Sequence, residues 1–133
     1  MNNTNVRVDF RIMGDNYNTE EITKVLGVTP TITWNAGELI NNTNKRHSYT
    51  AWVFSTGVEE TLDINTQLKK IEQTLLPKLD KLHWLKNQYD LDFSLDIVII
   101  IENESPPAIY FENSILNLVS NIEAKIDIDT YIN

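Results

Sequence analysis

The chain has no cysteine. That absence removes disulfides, thiolate nucleophiles and cysteine-ligated zinc together, and it fits a reducing compartment. Glycine is scarce, and none of the four present in 133 residues sits in a phosphate-cradling loop, a dinucleotide fingerprint or a GxSxG elbow. The two histidines, His47 and His83, fit no metal-ligand spacing, so neither a metal nor a cofactor is expected. Basic charge is in deficit: the formal net charge is -8 and the pI about 4.6, which removes any general attraction to phosphate backbones or anionic bilayers. Neither nucleic acid nor membrane is expected as a partner. The longest apolar run, Ile97 to Ile101, is far too short to span a bilayer. The opening Met1-Asn2-Asn3-Thr4-Asn5 has neither the basic patch nor the apolar stretch of a secretory signal. A cytoplasmic protein is expected, and the Asn-x-Thr triplets at Asn2 and Asn41 then carry no weight as glycosylation sites.

What is present reads as one globular domain over residues 1–133. Hydrophobic residues make up 41% and charged residues 23% of the chain, enough for a core and too ordinary for disorder. Val6 to Met13 alternates, with Val6, Val8, Phe10 and Ile12 against Arg7, Asp9 and Arg11, the pattern of a half-buried strand. Asn18 can cap a short helix with Glu21 reaching back, and Gly27 suits its left-handed stop. Thr31 to Trp34 and Ser48 to Ser55 read as strands, separated by a polar loop over Asn35 to Arg46. Between Asp63 and Tyr89 the period becomes helical, and Pro77 divides it into two helices, with the proline expected in the first turn of the second. Leu91 to Ile101 is the clearest strand, apolar on both sides in its second half and therefore central. Ala108 to Phe111 can form a short strand, Asn113 or Ser114 can cap a last helix, and Lys125 to Ile132 alternates again.

The order β-α-β-β-α-α-β-β-α-β predicts an α+β two-layer sandwich, a mainly antiparallel or mixed sheet of about six strands with helices on one face. The other face must then tolerate water. Arg7, Asp9, Arg11, Asp92, Ser94, Asp96, Asp127 and Asp129 would line it, with ion pairs between strands. Asp127 and Asp129 share a strand face at a spacing that acid–base chemistry can use, but a solvated face with Arg7 and Arg11 as counter-charges accounts for them more simply, and no catalytic residue is assigned. Trp84 between Leu82 and Leu85 suggests a helix buried on two sides, while His47 reads as a solvated loop residue.

One stretch stands out: Trp34, Gly37, Glu38, Arg46 and Trp52, two large aromatics flanking a loop with the only basic cluster of an acidic chain. Tryptophan and arginine dominate binding hot spots, and a guanidinium can grip a carboxylate as a fork. These five residues, or else the acidic face of the sheet, are the expected contact site for a protein partner. The alternative is a small-ligand or anion-binding domain in which Arg46 and the tryptophans line a pocket.

Phe10-Arg11-Ile12, Glu21-Ile22, Leu26-Gly27-Val28-Thr29-Pro30-Thr31, Trp34, Gly37-Glu38, Arg46, Trp52 and the closing Asp127-Ile128-Asp129-Thr130-Tyr131, in that order, resemble the bacterial domain-of-unknown-function family 4279. The resemblance spans nearly the whole chain and implies a small bacterial cytosolic α+β domain. It supplies no catalytic residues. Members of such families often lie near toxin genes, which implies an immunity-type inhibitor whose partner is a toxin.

Overall fold

The computed structural model describes residues 3–133; the Asn2 of the first glycosylation triplet lies outside them. In chain order the elements are β1 (Asn5–Gly14), α1 (Thr19–Leu26), β2 (Ile32–Trp34), β3 (Thr50–Ser55), β4 (Glu59–Glu60), α2 (Asn65–Leu75), α3 (Leu79–Gln88), β5 (Asp92–Ile101), α4 (Asn113–Asn121) and β6 (Lys125–Ile132), with a 3-10 turn (Leu76–Lys78) between α2 and α3. The six strands form one mixed sheet in the order β2-β3-β1-β5-β6, with β4 beside the start of β1. All pairs are antiparallel except β5 with β6, which run parallel through the α4 crossover. The predicted two-layer α+β class is the observed one.

Each element forms for a local reason. Asn18 Oδ1 accepts the Glu20 backbone N–H at 3.0 Å, and Gly27 ends α1 with φ +67°, a conformation a Cβ would strain. Glu21 does not close the capping box; its carboxylate accepts the Tyr89 hydroxyl instead. Pro77, which has no N–H to give, falls in the 3-10 turn rather than in the first turn of α3, so the chain bends between two separate helices. At α4 the expected caps Asn113 and Ser114 are already inside the helix, and its start carries no side-chain cap.

The expected strand at Ala108 to Phe111 is a single parallel bridge from Ala108 to Asp63. Its place in the count is taken by β4, two exposed glutamates. Thr56 links β3 to β4 by exchanging hydrogen bonds with Val8, its N–H donating to the Val8 carbonyl at 2.9 Å and its Oγ1 accepting from the Val8 N–H at 3.0 Å. The β3–β4 segment thus follows one flank of β1 with a glycine kink at Gly57, φ +76°.

Alternation then sorts every strand into two faces. Val6, Val8, Phe10 and Ile12 of β1, Phe93, Leu95, Ile97 and Ile99 of β5, and Trp52 of β3 join Ile22, Leu26, Leu68, Ile71, Leu75, Leu82, Leu85, Ile115, Leu118 and Ile122 of the four helices in one buried cluster. Burying each of the larger aliphatic side chains contributes roughly 1.5–3 kcal/mol. All helical coverage is on this side. Trp84 points away from the stripe that Leu82 and Leu85 bury and is 45% exposed, so α3 is covered on one side and not two.

An open sheet face as candidate functional site

Among the described residues, no helix packs on the opposite face of the sheet. Pairing aligns Arg11 with Val53 of β3 and Ser94 of β5, and Asp9 with Ser55 and Asp96. Across the parallel pair, Asp96 aligns with Asp127 and Val98 with Asp129. Three carboxylates, Asp9, Asp96 and Asp127, therefore stand in one row across β1, β5 and β6. Like charges in register repel, and the sequence answers with two arginines. Arg7 Nε donates to Asp9 Oδ2 at 3.2 Å. Arg11 Nε lies 2.8 Å from Asp96 Oδ2 without being directed along a hydrogen bond, while Ser94 Oγ donates to the other Asp96 oxygen. Both counter-charges are thereby used on β1 and β5. Asp127 and Asp129, expected to share them, have no ion-pair partner among the described residues.

Two shallow hollows lie along this face and share Arg7, Asp9 and Arg11 as their floor. One, of about 470 Å³, extends over Asp96, Val98, Ile100, Asp129 and Tyr131. The other, of about 310 Å³, extends over Ile32, Trp34, Val53 and Ser55. Exposed apolar side chains mark both ends, Ile32 and Tyr131. A separate hollow of about 330 Å³ lies at the far end of β1 near Thr4, Glu60 and Glu102. Its polar groups are engaged with one another, Asn3 Nδ2 donating to Glu60 at 3.0 Å and Thr4 Oγ1 to the Ser105 carbonyl at 2.5 Å.

Four of the five site residues read from the sequence lie at one corner of the open face. Trp34 stacks on His47 with ring centres 4.7 Å apart and meets the edge of Tyr49 at 5.8 Å. The Arg11 guanidinium carbon lies 5.8 Å from the Trp34 ring centre, a cation–π contact. His47 is thus a packed residue and not a solvated one. Residues 35–46, read as a plain loop, fold back as a small hairpin. Gly37 N–H donates to the His47 carbonyl, His47 N–H to Glu38 and Ile40 N–H to Lys45, each at 2.8 Å. Gly37 permits the turn at φ +89°. Arg46 spends its Nη1 on the Gly37 carbonyl at 2.7 Å, and Glu38 accepts from Asn35 at 2.7 Å. Arg46 and Glu38 therefore brace the hairpin that carries His47 onto Trp34.

Trp52 is elsewhere. Register places Thr33 opposite Trp52 and Trp34 opposite Ala51, so the two tryptophans face opposite sides of the sheet. Trp52 is fully buried, and its indole N–H donates to Thr23 Oγ1 at 3.0 Å, pinning α1 to β3. Asp9 and Arg11, which the sequence places on the acidic sheet face and outside the five named residues, line both hollows of the candidate site. The available signal was their charge in the middle of a strand whose flanks are both apolar.

Among the described residues, three buried polar atoms on this face make no hydrogen bond: Asp9 Oδ1, Trp34 Nε1 and Arg11 Nε, the last of which is held by its ion pair with Asp96. An unsatisfied buried group costs roughly 1–3 kcal/mol, and such groups call for a ligand, a partner or water. Among the described residues there is no cluster of three or more metal-ligating side chains, and no helix is long and apolar enough to cross a membrane.

No curated protein and no solved structure matches the chain. Residues 4–133 match the family described as a domain of unknown function, DUF4279. The chain accordingly belongs to the DUF4279 family.

Proposed function

We propose that this chain is a non-enzymatic protein-interaction module and that the open sheet face, from Trp34 across Arg11 and Asp9 to Tyr131, is its contact surface. One observation carries the reading: an unpaired acceptor, Asp9 Oδ1, and an unpaired donor, Trp34 Nε1, both buried, lie on the face that no helix among the described residues covers. A surface with an arginine at its centre, a tryptophan packed against it and exposed apolar residues at its rims has the composition of a binding hot spot. The immunity-type version, in which the partner is a toxin, draws its support from the net charge of -8.

The small-ligand reading draws on the hollows, whose volumes fall in the range of ligand sites. They are open troughs on a sheet, however, and Arg46 is turned onto its own hairpin. The protein-partner reading is therefore preferred.

Affinity capture from the organism of origin provides the test. The native chain should retain a stoichiometric protein, and Trp34→Ala or Ile32→Asp should lose it while remaining folded. Recovery of the chain alone, or equal capture by both variants, would overturn the reading. A toxin gene beside this one would specify the immunity version.

A further inference from the structure

We infer that the segment of partner protein received by this face is extended and basic, with an arginine or lysine side chain entering the hollow between Asp9, Asp96 and Asp129. The inference rests on the protein-module reading and deepens it by naming the chemistry of the occupant.

Asp9 carries the argument. Its side chain is 7% exposed, and Arg7 satisfies only Oδ2. Oδ1 has no hydrogen-bond partner, and Asp9 is one of the residues lining the hollow. An ionised carboxylate oxygen only accepts, so the missing group is a donor. The charge of that donor follows from the rest of the row. Arg7 and Arg11 are committed to Asp9 and Asp96, and Asp127 and Asp129 have no ion-pair partner among the described residues. In the hollow's lining the carboxylates of Asp9, Asp96 and Asp129 outnumber the guanidiniums of Arg7 and Arg11, so a cation beside Asp129 is favoured where an anion is not. Val98, Ile100 and Tyr131 give the aliphatic stem of a long basic side chain an apolar wall. A guanidinium suits the site better than an ammonium because its fork matches a carboxylate.

The occupant is extended because the two hollows run into one another across β1, with Arg7, Asp9 and Arg11 lining both. Asp9 and Arg11 alternate on β1, and Trp34 sits beyond Arg11 at the β2 corner. Asp9 Oδ1 needs a donor, which the guanidinium supplies, and Trp34 Nε1 needs an acceptor, which a backbone carbonyl of a strand-like peptide supplies.

The test titrates the complete chain with a hexapeptide of alternating arginine and valine, followed by amide NMR, with an alternating glutamate and valine peptide as control. The arginine peptide should produce saturable shifts in β1, β5 and β6, and the glutamate peptide none. Asp9→Asn should weaken binding about tenfold. The double variant Asp127→Asn with Asp129→Asn, at exposed positions where folding is not at risk, should do the same. Saturation elsewhere, equal binding of both peptides, or affinity unchanged in the double variant would overturn the inference. The two readings fail separately. A captured partner that is lost with Trp34→Ala but retained by the double variant leaves the module standing and removes the basic segment. Saturable arginine binding at the acidic row without any captured partner does the reverse.

Discussion

Trp34 and Trp52 differ by a single step of register, and that step decides what each does. Trp52, fully buried under α1 with its N–H on Thr23, belongs to folding. Trp52→Ala should cost about 3–5 kcal/mol in a denaturant titration, whereas Trp34→Ala should cost well under half of that and act on binding. Equal losses would contradict the assignment of faces. Asp63 offers a second prediction. Its Oδ1 accepts the backbone N–H of Asn65 at 2.9 Å and its Oδ2 the Tyr110 hydroxyl at 3.3 Å. The Asn65 backbone bond, more than the side-chain bonds, holds the carboxyl below its ordinary value of 3.8. A carboxyl whose pKa is lower folded than unfolded stabilises the fold above its unfolded value and loses that contribution as the pH falls through the folded one. Asp63→Asn should therefore lower Tm near neutral pH, with the gap closing below about pH 3.8. A gap independent of pH would show that the charge of Asp63 is not involved.

At the scale of elements, the left-handed end of α1 can be tested directly. A Cβ on Gly27 would find open space, its nearest neighbour being Lys78 Nζ at 3.8 Å, so only the φ of +67° penalises a substitution. Gly27→Ala should destabilise by roughly 1–2 kcal/mol and Gly27→Asn by less, measured by thermal or chemical melting. This cap was legible in the sequence because capping is local: Asn18 and Gly27 act within a turn of themselves. So were the long strands, whose alternation spans β1, β5 and β6. The misreadings concern elements held only from outside. The two glutamates of β4 have no apolar alternation to announce them, and they pair because Thr56 and Gly57 carry the chain back along β1. Ala108 to Phe111 has strand-forming residues but makes a single β-bridge, Ala108 with Asp63. The hairpin over residues 35–46 was hidden for a similar reason, since its rungs are backbone hydrogen bonds and its two large apolar side chains, Leu39 and Ile40, are adjacent and show no alternation.

Over the whole molecule, four helices on one side leave a sheet whose uncovered face is charged at its centre and apolar at its rims. Outward-facing positions could be read within each strand. The site could be read only in part, because joining residues of different strands needs the register between them. That register separates Trp52 from Trp34, aligns Asp9 with Asp96 and Asp127, and assigns both arginines to β1 and β5 partners. The surface Asp127 and Asp129 present is consequently less neutralised than their sequence context implied. Salt should weaken a charged contact there, with the arginine peptide losing affinity as ionic strength rises past the point where the screening length falls below about 8 Å.

Methyl cross-saturation in the complex with the captured partner tests the open-face assignment most directly. Saturation should reach the methyls of Ile32, Val53, Val98 and Ile100 on the open face and leave Leu76 and Leu116 on the helices untouched. Saturation of the helix methyls with the sheet face silent would contradict it.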